Sequence, residues 1–213
     1  MASNKILLIG GGGHCKSVLD SLIGLNLYSD MAIIDKRENV GKNILDVPII
    51  GTDEELEEFI NKGFHSAFIT VGSVGNPEPR IKLHQLITAF GFHIPVIVDK
   101  SAVIGSDTKF GEGVFVGKRA IVNAGSVINS CAILNSGAII EHDCNVGEYA
   151  HVASGVVLAG GVKIGNNAHI GAQTVIRQNL SIGEGTIIGI GSVVVKSIGN
   201  NAVAYGNPCE IVK

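Results

Sequence analysis

The 213-residue chain has no tryptophan, and aromatic residues make up only 5% of it. With so few rings, the interior must be filled by Ile and Val, which suits thin β-layers. Charge is scarce too, at 16% of residues, with a net charge of −3 and a pI of about 6.1. The lysines and arginines are scattered rather than clustered, which argues against a nucleic-acid surface. The four cysteines, Cys15, Cys131, Cys144 and Cys209, have no CxxC spacing, so neither a zinc site nor a redox pair is expected. No apolar run approaches the length of a membrane span, and no basic segment leads into an apolar stretch at the start. The expectation is a cytoplasmic protein. Its 46% apolar residues are enough for two small cores.

What the chain does have is a period of six. From Val98, every sixth residue is apolar through Ile104, Phe110, Val116, Val122, Ile128, Leu134, Ile140 and onward to Val194, seventeen positions without a slip. Two residues before each sits a small side chain in most cases, as at Ala102, Ala120, Ser126, Ala138, Cys144 and Thr174. The residue after each is often Gly or Asn, as at Gly105, Gly117, Asn123, Asn135, Gly165 and Gly183. No helix gives this period. Short parallel strands joined by tight corners do, with Gly or Asn expected to take the awkward backbone angles. Three hexads close a triangular coil of about 18 residues, stacked at roughly 4.8 Å. Cys131 and Cys144 fall inside this run and read as packing residues. The competing reading is a solenoid that serves only as a scaffold.

The first ninety or so residues have a different texture. Strands are predicted at Lys5–Ile9, Ala32–Ile34 and Ser66–Val71, and helices at Lys16–Leu25, from Asp53 as cap through Asn61, and at Pro79–Phe90. This alternation implies a small parallel sheet of Rossmann type. Gly10-Gly11-Gly12-Gly13-His14 follows the first strand and opens a helix. Glycines there let backbone amides approach a diphosphate. Asp35 stands where such folds hold a ribose or another polar group. The dinucleotide fingerprint is broken, because its third glycine is Cys15. A nucleotide-sugar diphosphate fits better than NAD, and a tight turn with nothing bound is the plain alternative.

Two histidine arrangements carry chemistry. His142 lies two places past an inward aliphatic, on an outer face, with Asp143 next to it. An imidazole beside a carboxylate is oriented and more basic, which suits proton removal from an attacking amine or hydroxyl. Adjacent residues on a straight strand diverge, so the pair needs a corner near 142–143, and Glu141 is the competing partner. His151 and His169 are one coil apart and should stack, as a ligand cleft or as a surface ladder. A metal is weakly supported there, because the next position along is Ile187.

Gly-Gly-His after strand one, Asp35 after strand two, and a solenoid carrying Ile-Glu-His-Asp-Cys and Ala-His-Val together resemble the PglD/NeuD-like sugar O/N-acyltransferases. That family includes the acetyltransferases of bacillosamine synthesis. The resemblance runs from Ile6 to Gly206-Asn207-Pro208. It implies a Rossmann-like nucleotide-sugar domain over residues 1–95 and a left-handed parallel β-helix over 96–213. Parallel strands ordinarily cross over right-handed, so the handedness comes from the resemblance alone. It implies His142 as general base with Asp143 raising its basicity, and acetyl-CoA contacts from His151, Gly160, Gly161, Ala172, Gly189 and Ile190. It implies that Gly12, Gly13, His14, Asp35, Lys36 and the loop at Gly72 hold the sugar nucleotide. A homotrimer with acetyl-CoA between subunits, and no metal, is also implied. Three positions depart from the pattern: Asp99-Lys100 replaces a His-Pro, Asp143 stands where a longer Glu occurs, and Lys36 stands where relatives carry a second acid.

The resulting expectation is an acetyl-CoA-dependent N-acetyltransferase acting on a nucleotide-linked amino sugar, with the 4-amine of a UDP-4-amino-6-deoxy sugar favoured. Sialic-acid-type O-acetylation and a non-catalytic sugar-nucleotide scaffold are the alternatives. The trimer faces are expected to include Val114, Ile133 and Val156, which lie off the inward register.

Overall fold

The computed structural model describes residues 4–213. They form two compact units. One runs up to Gly72 and resumes over Glu78–Ile97; the other takes Ser73–Pro77 and Val98–Lys213.

The first unit contains β1 (Lys5–Ile9), α1 (Gly13–Leu25), β2 (Asp30–Ile34), β3 (Asn43–Ile44), β4 (Val47–Gly51), α2 (Leu56–Asn61), β5 (Ser66–Ile69) and α3 (Glu78–Ala89). The sheet order is β3-β4-β2-β1-β5. All neighbours are parallel except the β3–β4 hairpin. Ile6, Leu7, Leu8 and Ile9 are all buried, as in a parallel sheet covered on both faces. Leu7 and Ile9 pack with Leu56 and Phe59 of α2 and Ile87 of α3. Helix α1 turns Cys15, Val18, Leu19 and Leu22 inward, the spacing of one helical face.

Three local expectations change. Helix α1 begins at Gly13 rather than Lys16, because Gly12 is extended (φ −85°, ψ −167°) and acts as the N-cap. Asp53 does not cap α2. The α2 N-cap position is Glu55, which makes no side-chain cap bond there. Thr52 caps the 3₁₀ turn over Asp53–Glu55 that leads into α2, and its N–H donates to the Glu55 carboxylate at 2.7 Å in a capping-box arrangement. That amide is the main reason the Glu55 carboxyl is held below its ordinary range. The β3–β4 hairpin was not predicted. Its turn places Leu45 and Asp46 at positive φ with no glycine to announce it, and Pro48 interrupts the strand pattern.

The second unit is a left-handed parallel β-helix. Its strands are two residues long through Val193–Val194, and each pairs with the strand 18 residues away, as Ile121↔Ile139↔Val157↔Val175↔Val193. The inward aliphatics from Val116 to Leu158 are fully buried, each worth roughly 1.5–3 kcal/mol against exposure. Ile104 is 37% exposed; it belongs to the first full coil of the stack.

The awkward backbone angle sits elsewhere than expected. Positive φ recurs at Asp107, Gly113, Arg119, Gly125 and every sixth residue to Gly191, three places after the inward aliphatic rather than one. The glycines one place after it have another cause. A Cβ at Gly105 would lie 2.6 Å from the Ala124 nitrogen, and one at Gly165 2.5 Å from the Glu184 nitrogen. At these two glycines the backbone of the next coil comes too close for a side chain, whereas Asn123, Asn135 and Glu141 carry one at the same step of other coils.

The three faces differ in outward residues. One carries Val103, Ile121, Ile139, Val157, Val175 and Val193, an aliphatic ladder. The next carries Lys109, Val127, Asn145, Lys163 and Ser181. The third carries Phe115, Ile133, His151, His169 and Ile187. Val114 and Val156 are not on a face. They occupy the small-residue position and are fully buried; Ile133 is outward but also buried. Among the described residues no helix is long and apolar enough to cross a membrane.

Candidate active site

In the first unit the carboxyl ends of β1, β2, β4 and β5 open into a cleft of about 470 Å³. Its lining includes Gly10, Asp35, Lys36, Arg37, Thr52 and Lys82. Connections leave β1 to opposite sides of the sheet, the place where open α/β sheets bind ligands. Asp35 accepts from Asn39 Nδ2 at 2.8 Å. Asp35 and Lys36 both line this cleft, and so do Arg37, Thr52 and Lys82, which carried no signal in the pattern. Arg37 is bridged to Glu54 at 3.3 Å and Lys82 to Glu78 at 3.5 Å.

The glycine run divides into two pairs. Gly10 has φ +106°, and a Cβ on it would lie 2.5 Å from Val71 Cγ2. A Cβ on Gly11 would lie 2.9 Å from Asp35 Oδ2. Those two glycines serve the fold. Gly12 and Gly13 meet nothing within 4 Å, and Gly12 has backbone angles open to any residue. The turn itself does not require them. They stand at the amino end of α1, where N–H groups lack intrahelical acceptors and favour an anion. His14 follows, with Gly72 packed 3.4 Å from its Cβ.

In the second unit His142 and Asp143 occupy the corner between the aliphatic face and the lysine-bearing face. Asp143 takes the left-handed conformation at φ +59°, which swings its carboxylate back to its neighbour. His142 Nδ1 and Asp143 Oδ2 are 2.8 Å apart. An ionised carboxylate only accepts, so Nδ1 carries the proton and Nε2 keeps a lone pair. Glu141 is engaged elsewhere, accepting from Asn123 Nδ2 at 2.9 Å. The His142 side chain is 65% exposed, accessible to a reactant. Cys144 is no rival nucleophile. Its thiol is buried, donates to Ala159 O at 3.3 Å, and is raised above its ordinary pKa by burial, which suppresses the thiolate.

Gly160 and Gly161 join this corner. Gly161 N–H donates to His142 O at 2.9 Å. Ala172, Gly189 and Ile190 do not. They line the corner between the His151 face and the aliphatic face, where Ile190 is 79% exposed and Gly189 O accepts from Thr174 and Ser192. His151 and His169 stack as expected, with rings 5.0 Å apart at 77°. Both are buried. His151 Nδ1 donates to Ser73 O at 2.6 Å, and burial lowers the His169 pKa. The six acetyl-CoA residues implied by the sequence thus fall on two edges and one face of the prism, and the aliphatic ladder lies between the two edges.

Residues 5–87 match the PglD N-terminal domain, and residues 143–178 match the bacterial transferase hexapeptide family of six repeats. Among curated proteins none matches. Perosamine N-acetyltransferase from Caulobacter crescentus, solved as a histidine-to-asparagine variant with CoA and GDP-perosamine, is 33% identical, with 99% of this chain and 97% of that chain covered and a TM-score of 0.93. The acetyltransferase domain of PglB from Neisseria gonorrhoeae, solved with acetyl coenzyme A, is 30% identical over 99% of this chain and 100% of that one, at TM-score 0.92. WeeI from Acinetobacter baumannii, 24% identical over 99% of this chain and 100% of that one at TM-score 0.67, shares the fold.

An α/β unit joined to a hexapeptide β-helix with a paired histidine at one corner defines an acyltransferase of the hexapeptide class. Within that class the chain belongs to the PglD-like sugar N-acetyltransferases.

Proposed function

We propose that the chain transfers the acetyl group of acetyl-CoA to the 4-amine of a nucleotide-diphosphate-linked 4-amino-6-deoxy sugar, in the cytoplasm. The observation that carries this is the His142–Asp143 contact, which leaves Nε2 as an accessible base on a fold of this family. The amine attacks the thioester carbonyl, its N–H proton passes to Nε2, the C–S bond breaks, and the leaving thiolate takes that proton back from Nε2, so that CoA is released as the thiol and the base is restored. Amides of a neighbouring coil receive the oxyanion. The contacts assigned to acetyl-CoA are His151, Gly160, Gly161, Ala172, Gly189 and Ile190. A UDP carrier is the favoured acceptor. GDP is the second reading, favoured by the GDP-perosamine bound to the Caulobacter enzyme.

A panel of UDP-, GDP- and CMP-amino sugars assayed with acetyl-CoA, following thiol release, tests this. The expected product is an amide that resists hydroxylamine. An ester product, or activity only on free sialic acid, would replace N- with O-acetylation.

The glycine run gives a separate test of the acceptor site. A Cβ at 12 meets nothing within 4 Å, so Gly12→Val is expected to fold. If the α1 amides hold the diphosphate, the variant loses about 1.5–3 kcal/mol of charge-assisted hydrogen bonding, roughly 10–100-fold in acceptor KM. The acetyl-CoA KM stays put. An unchanged acceptor KM would remove the anion site.

A further inference from the structure

The repeat is so regular that its exceptions stand out, and two of them converge on His142. The first is a hydroxyl. From Val114 to Ala168 the buried small-residue position reads Val114, Ala120, Ser126, Ala132, Ala138, Cys144, Ala150, Val156, Val162 and Ala168. Ser126 is the one hydroxyl in this stretch and is fully buried; the same position carries Thr108 before it and Thr174, Thr186 and Ser192 after it. It lies one coil before Cys144. Its Oγ donates to Glu141 O at 2.9 Å and accepts from Cys144 N–H at 3.2 Å. A single buried hydroxyl therefore ties both ends of the four-residue corner that carries His142 and Asp143.

The second exception is a missing side chain. The second corner residue, every sixth from Ser106 to Ile190, has a side chain everywhere except at Gly160. Gly160 lies one coil after His142. A Cβ there would lie 2.5 Å from His142 Nε2 and 2.6 Å from Cε1. The imidazole rests on bare backbone, in space that any other residue would fill.

We propose that Ser126 and Gly160 are positioning residues that fix the His142 imidazole from opposite sides, Ser126 by pinning the corner backbone and Gly160 by leaving room for the ring. This rests on His142 acting as the base. A buried hydroxyl costs free energy unless both its bonds are made, and here both go to the one corner that bears a histidine. Displacing a reacting group by about 1 Å costs up to the order of 100-fold in rate.

Ser126→Ala, Ser126→Thr, Gly160→Ala and His142→Ala are compared by steady-state kinetics with both substrates, alongside Tm and amide exchange at Cys144. Alanine is the commonest residue at this position in neighbouring coils, so Ser126→Ala folds. Threonine fills it at Thr186, where Oγ1 donates to Gly199 O at 2.6 Å and accepts from Ala202 N–H at 3.2 Å. Ser126→Ala is expected to lower kcat about tenfold with both KM values held, to speed Cys144 exchange, and to be rescued by Ser126→Thr. Gly160→Ala is expected to lower kcat further, by more than it raises the acetyl-CoA KM. Wild-type kcat in Ser126→Ala, with His142→Ala inactive, overturns the clamp. A raised acetyl-CoA KM with kcat intact in Gly160→Ala overturns the ring seat and leaves Gly160 as a binding residue. Wild-type turnover in His142→Ala overturns the base itself, whatever the other variants do.

Discussion

His142→Ala lowers kcat by about 10²–10⁴ while Tm and both KM values stay near those of the parent. The size follows from the step. A sugar amine must shed a proton as it bonds to the thioester carbon, and Nε2 is the nitrogen lone pair the corner offers for it. Nδ1 is taken by Asp143, Glu141 by Asn123, and the Cys144 thiol by Ala159 O. The fold is indifferent to the change, because the side chain is largely exposed and the corner is held by backbone and Ser126. Asp143→Asn falls between parent and His142→Ala, since an amide can still accept from Nδ1–H but carries no charge to offset an imidazolium. Pre-steady-state mixing with acetyl-CoA separates the chemical step from product release. Turnover of His142→Ala within threefold of the parent would end the general-base mechanism.

How much of this was legible in the sequence depends on the physics behind each part. The coil of short parallel strands was, because the inward aliphatics repeat a period of six without a slip, while its left hand came from the family resemblance. Even so, the reason for its glycines was misread. Composition cannot separate a glycine needed for φ, as at Gly125, from one excluded by stacking, as at Gly105. Only the inter-coil distances do that. The His142–Asp143 corner was legible down to its requirement for a turn, because neighbouring side chains on a strand diverge. That Asp143 supplies the turn by adopting positive φ was not, since nothing in an Asp marks that choice. The glycine run after β1 was visible as a unit. Its division into Gly10–Gly11, packed against Val71 and Asp35, and Gly12–Gly13, facing open space, depends on contacts from residues far along the chain. Arg37, Thr52 and Lys82 reach the cleft from three separate elements and leave no local pattern. Val114 and Val156 were placed outside because they break the aliphatic register. In the structure the small-residue position also points inward, so each hexad buries two side chains rather than one.

If the aliphatic face of the β-helix joins copies of this chain, as we propose, Val157→Asp gives monomers and lowers turnover by more than about 100-fold. The outward residues of one face are Val103, Ile121, Ile139, Val157, Val175 and Val193, stacked in register over successive coils. The neighbouring face has lysines and asparagine in the same places, so an aliphatic ladder is not a requirement of the coil. A continuous apolar strip of this kind marks an association surface, and we propose two further copies of this chain as its partners. The threefold number is that implied by the family resemblance. His142 and Gly160 stand on one edge of the ladder face, Ala172 and Ile190 on the other. In the proposed assembly, packing ladder against neighbour would bring one subunit's His142 edge to the next subunit's Ile190 edge, so that the residues assigned to acetyl-CoA would come from two chains. A carboxylate at 157 would be buried without a partner at that contact, at a cost of several kcal/mol. Lys163→Asp, on the polar face, is the control and stays assembled and active. Light scattering at micromolar concentration decides the matter. A monomeric but active parent, or a Val157→Asp variant that remains assembled, would show that the ladder is not the interface and that the acetyl-CoA site is built within one chain.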